Sequence, residues 1–279
     1  MPELPEVETI KNDLEPLLVG RKFTEVAVGD DTAVQKPSVE AFRSGLIGRS
    51  IVGLGRRGKF LIFRLDNGRV LIVHLRMTGN LLATEACRRL PKELANARVR
   101  AVFRFDDGST LSFIDRRRMG RMWLVADQEE VVGKLGPEPL SPDFTVDVLA
   151  ELMARHRAPI KAVLCDQGIV AGVGNMYADE ALFESRIHPL TPAADLSRAK
   201  VKRLYSAIRG ILTTAITNKG ASVDTYFRPD GNRGAAHYEF KVAHRLSETC
   251  PVCGGPIERI RVRGRGTYFC SKCQRTGQK

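Results

Sequence analysis

Pro2, Glu3 and Glu6 lie within the first six residues of the 279-residue chain, and their types suit one particular chemistry. An initiator Met followed by Pro is normally removed, which leaves Pro2 with a secondary α-amine. Such an amine titrates near roughly 7.7–8.0, against about 10.4 for lysine, so part of it is neutral and nucleophilic at physiological pH. Condensed with an aldehydic sugar carbon, it gives a permanently cationic iminium that acts as an electron sink. A neighbouring carboxyl, Glu3 or Glu6, could protonate the sugar ring oxygen and shuttle protons during elimination. The same residues also suit an ordinary helix start, with acids placed for the dipole and proline in the first turn. Position alone leaves both readings open.

A second chemical group is Cys250-Pro-Val-Cys253 with Cys270-Ser-Lys-Cys273, two CxxC pairs separated by 16 residues. This spacing predicts two tight knuckles that supply four thiolates to one tetrahedral structural zinc ion. Gly254-Gly255 provides a turn, and a cytosolic chain favours metal over disulfide. Between the pairs, Arg259, Arg261, Arg263 and Arg265 recur with period two, which predicts one basic face of a β-hairpin. Cys87 and Cys165 are isolated and read as small apolar residues.

The elements that must position these groups follow from periodicity. Val7, Ile10, Leu14, Leu17 and Leu18 mark one face of a leading helix that ends at Gly20, with Pro16 expected to kink or shorten its last turn. From Phe23 to Val125, short Val-, Ile-, Leu- and Phe-rich runs alternate with turns such as Asn67-Gly68 and Asp107-Gly108, which predicts a β-sandwich or barrel. Gly133 to Pro142 reads as an extended connector. Helical patterns then run from Val146 to Arg157, from Ile160 to Gln167, from near Asn175, and from Ser197 to Lys219. Residues 221–240 show neither period and read as a mobile loop. The expected order is an N-terminal domain over 1–132, a linker over 133–143, a helical domain over 144–240 and a zinc-binding module over 241–279.

Hydrophobic residues at 43% and charged residues at 27% exclude a wholly disordered chain. The formal net charge of +12 points to a polyanionic partner such as DNA, RNA or an anionic membrane surface, although a solvated basic face is compatible with it too. Residues 241–279 alone carry nine Lys and Arg against two Glu, so the charge is concentrated on the cysteine module. No run approaches the roughly 18 apolar residues of a membrane span, and the N-terminus is acidic where a signal peptide would be basic. A cytoplasmic protein without a membrane partner is expected.

Met1-Pro-Glu-Leu-Pro-Glu-Val-Glu-Thr9 resembles the opening of the formamidopyrimidine-DNA glycosylase/endonuclease VIII family of base-excision repair enzymes. The other landmarks follow in order: Arg56-Arg-Gly-Lys-Phe60, His74-Leu-Arg-Met-Thr-Gly79, Asp115-Arg-Arg-Arg-Met-Gly120, Gly172-Val-Gly-Asn-Met-Tyr-Ala-Asp-Glu180 and Gly264-Arg-Gly-Thr-Tyr-Phe-Cys270. The Lys59 and His74–Gly79 segments resemble the formamidopyrimidine branch. The resemblance implies an α+β fold: an N-terminal β-sandwich with its leading helix, a helix–two-turn–helix domain and a C-terminal zinc-ribbon finger. It implies a monomeric, nucleoid-associated enzyme that binds double-stranded DNA carrying damaged bases, removes oxidised purines and cleaves the abasic strand by β,δ-elimination.

Residue by residue, the resemblance implies that Pro2 is the Schiff-base nucleophile and that Glu3 opens the deoxyribose and relays protons. Glu6 would help hold the damaged nucleotide or a water. Lys59, Asn175 and Arg265 would contact phosphates around the lesion, with Arg265 gripping them bidentately. Met77, Arg117 and Met119 would fill the gap left by the extruded nucleotide. Position 119 is Met where this branch usually has Phe. The loop over 221–239, which would cover the flipped base, has Gly234-Ala235-Ala236-His237 in place of an aromatic pair, and Val242-Ala243-His244-Arg245 replaces a typical Val-Tyr-Gly-Arg. Two alternatives remain within this frame: an altered lesion range, covering oxidised pyrimidines or abasic sites, and a non-catalytic damaged-DNA-binding protein. A zinc-ribbon protein of transcription or RNA binding would leave the N-terminal motif unexplained.

Overall fold

The computed structural model describes residues 1–84 and 91–276; Cys87 and Lys279 lie outside them. The chain divides into two compact units, one of residues 1–134 with 216–237 and the other of residues 135–215 with 238–279.

The first unit opens with α1 (Leu4–Leu18), followed by β1 (Phe23–Val28), β2 (Val34–Lys36), α2 (Val39–Leu46), β3 (Ile51–Arg57), β4 (Phe60–Leu65), β5 (Val70–His74) and β6 (Gly79–Ala83). It continues with β7 (Arg98–Phe105), β8 (Thr110–Asp115), β9 (Arg121–Val125) and the short α3 (Glu129–Val132). Two sheets form, in strand orders β1-β7-β8-β6 and β2-β9-β5-β4-β3. Phe23, Leu61, Phe63, Phe103 and Phe113 alternate inward along their strands and share one core with Val7, Ile10, Leu14 and Leu18 of α1. Each such apolar side chain contributes roughly 1.5–3 kcal/mol on burial, which anchors the helix that carries the N-terminal acids. Pro16 sits in the last turn, and the helix continues to Leu18.

The α2 helix falls where sequence periodicity suggested strands. Ser38 caps it by accepting the Ala41 N–H, and Phe42 and Leu46 fill the core. Eight residues are too few for a helical period to stand out against the surrounding strand-like pattern.

The second unit holds α4 (Val146–Ala154), α5 (Ile160–Leu164), α6 (Asn175–Glu184), α7 (Arg198–Thr217, whose last two residues fall in the first unit), β10 (Glu258–Val262) and β11 (Arg265–Phe269). The α4 helix ends at Ala154, short of the expected Arg157, with Arg155 as its C-cap. Among the described residues, no helix is long and apolar enough to cross a membrane.

Residues 221–237, expected to be a mobile loop of the helical domain, belong to the first unit and are firmly tied down. Ala221 bridges Ala235, the Phe227 N–H donates to Asn80 Oδ1 at 2.9 Å, and Arg228 pairs with Asp13 at 2.8 Å. Tyr226 joins the sandwich core, while Phe227 packs with Leu82, Leu94 and Ile114. A Cβ on Gly234 would lie 2.1 Å from the Lys219 carbonyl oxygen, so only glycine permits this closure. These partners are distant in sequence, and no local periodicity records them.

Candidate active site and metal centre

In the first unit, the N-terminal acids are fixed before any ligand arrives. Pro2 is buried, Glu3 is 1% exposed and Glu6 is fully buried. Glu3 caps α1 in a capping box. Glu6 Oε2 accepts the Glu3 N–H at 2.7 Å and Oε1 accepts the Ala221 N–H at 2.8 Å, so this one carboxylate joins the helix start to the 221–237 segment. Glu6 therefore already carries a positioning duty that the sequence did not suggest. Gly220 stands at φ +77°, and a Cβ there would come within 3.0 Å of both Glu6 and Tyr226.

Lys59 occupies the two-residue turn between β3 and β4 and is only 6% exposed, unlike a solvated surface lysine. Arg56, three residues earlier, pairs with Glu8 of α1 at 2.7 Å and ties this hairpin to the leading helix. Met77 is half-buried, whereas Arg117 and Met119 are exposed. His74 closes the turn before Met77, because its Nδ1 accepts the Arg76 N–H at 2.9 Å.

Burial, reinforced by the charges of Arg76 and Lys59, pushes His74 down to about 3. A histidine depressed in this way is neutral in the fold yet protonates near 6.5 once unfolded. It supports stability fully above pH 6.5, and that support is lost as pH falls toward about 3. His74 should therefore pull the melting temperature down between pH 8 and pH 5, against the buried Asp179 and Glu180, whose raised pKa values act in the opposite sense. A His74→Gln variant should fall less steeply, by up to one proton's worth of slope; an unchanged slope would remove His74 as the cause.

In the second unit, α6 is the organising element. Gly174, not Asn175, is its N-cap, and Asn175 takes the first helical position. The Asn175 amide Nδ2 donates to the Gly266 carbonyl at 2.8 Å, while its Oδ1 is buried with no hydrogen-bond partner among the described residues. The Gln167 carboxamide stitches the preceding turn, donating to the Val173 carbonyl and accepting the Gly172 N–H.

Two acids on α6 hold the finger. Asp179 accepts from Lys161 Nζ at 2.6 Å and from the Tyr268 N–H at 3.1 Å; Glu180 accepts the N–H groups of Lys241, Val242 and Ala243. Burial pushes Asp179 up to about 7 against the opposing pull of Lys161, and burial raises Glu180 as well. Both carboxylates are spent on structure. Sequence reasoning missed these roles, although paired acids within an otherwise apolar helix stretch were a visible signal.

The basic hairpin differs from its expected face pattern. Val262 pairs with Arg265, so Arg263-Gly264 is a two-residue turn, with φ of 45° and 80°. Partners across an antiparallel ladder share a face, which places Arg265 with Val262 and opposite Arg259 and Arg261. The turn reverses the alternation that a straight strand would keep. Arg263 and Arg265 instead line a cavity of about 520 Å³ together with His156, Asp166 and Gln167.

The four finger cysteines converge. Their sulfurs all lie within 4.8 Å of one another, with Cys253–Cys270 at 3.4 Å and Cys250–Cys273 at 3.8 Å. A zinc tetrahedron with bonds near 2.3 Å separates its sulfurs by about 3.8 Å, so the set fits that ion. Cys165 is buried and contacts the Gly174 carbonyl, in keeping with a packing role.

Three family descriptions match consecutive parts of the chain: the formamidopyrimidine-DNA glycosylase N-terminal domain over 1–122, the H2TH domain of the same enzymes over 135–226, and a zinc finger found in FPG and IleRS over 247–276. A formamidopyrimidine-DNA glycosylase of Chloroflexus aurantiacus is 44% identical over all of this chain and 99% of its own. The chain belongs to the formamidopyrimidine-DNA glycosylase family. Among solved structures, MutM (Fpg) of Thermus thermophilus matches with a TM-score of 0.87 at 38% identity, covering 99% of this chain and 100% of that one. A Lactococcus lactis FPG variant in complex with DNA containing Fapy-dG matches at 0.89 and 34% identity, with 99% and 100% covered.

Within this glycosylase family framework, two further residues of the first unit gain meaning. Asn80, fully buried, accepts the Phe227 N–H and donates to the Thr78 carbonyl at 3.2 Å, linking the 221–237 segment to the Met77 turn. Asp115 anchors the turn that carries Arg117 and Met119. Neither could be singled out from sequence, because a buried Asn or Asp is visible only through its partners.

Proposed function

We propose that the protein is a bifunctional DNA glycosylase and abasic-site lyase that excises oxidised purines, 8-oxoguanine and formamidopyrimidines, from double-stranded DNA. The observation that carries this reading is the buried Pro2-Glu3 pair at the start of α1, held by Glu6. Removal of Met1 frees the Pro2 amine. Its nitrogen lone pair attacks C1′ of the damaged nucleotide, and the base leaves with the electron pair of the glycosidic bond and takes up a proton. Glu3 protonates O4′ as the sugar ring opens, and a C1′–N iminium forms. Loss of a C2′ proton expels the 3′ phosphate, a second elimination expels the 5′ phosphate, and water releases the sugar remnant from Pro2.

Lys59, Asn175 and Arg265 bind the phosphates, and Met77, Arg117 and Met119 fill the vacated space in the duplex. One zinc ion bound by Cys250, Cys253, Cys270 and Cys273 would supply structural cross-linking alone, since four thiolates leave no open position.

A panel of duplexes with a single lesion, read for released base and for strand cleavage, tests the proposal. Release of 8-oxoguanine and formamidopyrimidine with cleavage at both sides of the abasic sugar is expected. Release confined to oxidised pyrimidines would shift the lesion range, an outcome to which Met119 and the Ala235-Ala236 loop give a physical basis. Tight lesion binding without release, with Met1 retained in the intact mass, would identify a non-catalytic binder.

A further inference from the structure

The Met77 turn and the Arg117–Met119 turn leave the same end of one sheet. β6 begins at Gly79 and β8 ends at Asp115, and these two residues are partners in the antiparallel register. Two chain segments about forty residues apart are thereby placed side by side.

The junction is polar and buried. Asp115 is fully buried; its Oδ1 accepts the Thr78 hydroxyl at 2.5 Å and the Arg117 N–H at 3.1 Å, and its Oδ2 accepts the Gly120 N–H at 2.7 Å. The Thr78 oxygen in turn accepts the Arg117 N–H at 2.9 Å. A threonine hydroxyl has one proton to donate and lone pairs to accept with, and here it uses both functions across the junction. Arg100, also fully buried, stands behind the carboxylate with Nη1 at 3.9 Å, and Asp30 bridges Arg100 to Arg118. A Cβ on Gly120 would lie 2.3 Å from the Phe113 ring, so the turn closes tightly against the sheet.

A carboxylate that merely ended β8 would need only the N–H groups of its own turn. The Thr78 hydroxyl comes from the other segment, adjacent to Met77, and its 2.5 Å bond to the carboxyl oxygen is short, as in the strong class of hydroxyl–carboxylate bonds. We propose that Asp115 is a positioning residue that, through the Thr78 hydroxyl, couples the Met77 and Arg117–Met119 segments so that they enter the duplex as one body. This rests on the wedge role proposed above.

The test has one arm without DNA and one with it. In spectra of the full-length protein labelled with ¹³C at the methionine methyls, assigned with Met77→Leu and Met119→Leu, Thr78→Val should shift both the Met77 and Met119 signals. Thr78→Ser, which keeps the hydroxyl, should shift neither. With damaged duplex, Thr78→Val should slow base release about tenfold, the loss expected for one hydrogen bond to a charged group. Cleavage of a preformed abasic duplex should slow less than release does, because the base is already gone. The Asp115→Asn, Thr78→Val double variant should lose less than the sum of the two single losses, since both disrupt the Thr78 linkage. An unmoved Met119 signal in Thr78→Val, or fully additive losses, would overturn the coupling. If the wild-type protein releases no base at all, the proposed function fails, and the methyl spectra still decide the coupling.

Discussion

A Pro2→Gly variant is expected to lose most of the borohydride-trapped adduct on an abasic duplex and to cleave it at least about 10³-fold more slowly, since its primary amine is less well positioned and forms only a titratable imine. Proline contributes in two ways that glycine lacks. Its secondary amine forms an iminium that stays cationic at every pH, whereas a primary amine gives an imine that deprotonates and stops withdrawing electrons. Its ring also fixes the backbone next to Glu3, while glycine regains conformational freedom at that point. The scaffold behind Pro2 stays intact in the variant, because Leu4, Val7 and Ile10 remain packed in the core and Glu6 still accepts the Glu3 and Ala221 N–H groups. An unaltered melting temperature would therefore accompany the lost adduct. Wild-type levels of adduct from Pro2→Gly would defeat the assignment. Glu3→Gln separates the second function: it keeps the amine but loses the acid, and should slow ring opening by about 10²–10⁴-fold.

The leading helix, the strand-rich first half and the cysteine module were legible in the sequence because each rests on local regularity: a 3.6-residue stripe, a two-residue alternation, a CxxC spacing. The positions that organise each unit's candidate residues are of another kind. Glu6 looks like any first-turn acid until the Ala221 N–H arrives from 215 residues away. Asp179 and Glu180 look like helix-surface acids, yet they are buried and bind the backbone of the finger. The 221–237 segment lacks periodicity because it is stabilised by single hydrogen bonds and two buried aromatic rings in place of a repeating face. A period of two carried through 259–265 puts Arg265 on the wrong face, because the alternation survives along a strand and fails at a turn, and the Arg263-Gly264 turn is the point of failure.

Removing zinc, by chelation or by Cys253→Ser, is expected to lower affinity for a lesion duplex by about 10³-fold or more in fluorescence anisotropy, because several charge-assisted phosphate contacts are lost together. The finger has a small apolar core: Val242, Ala243, Cys250, Ile257, Val262, Phe269 and Cys270 are buried, several of them against Phe183 of α6, and Cys250 and Cys270 are candidate zinc ligands. A core this small does not offset the entropy of ordering its chain, so the metal bonds supply the missing stability. Once they are gone, β10 and β11 lose their anchorage, and Arg265 is no longer fixed beside the Asn175–Gly266 hydrogen bond. The damage reaches α6 as well. Glu180 loses three N–H donors and Asp179 loses the Tyr268 N–H, which leaves two buried acids poorly solvated. Arg265→Ala isolates the direct contribution: it should weaken binding by less than chelation does while leaving the zinc content intact. Re-adding zinc to the chelated protein should restore affinity, and metal-free protein that still binds the lesion within tenfold of the original would place the finger outside the DNA site.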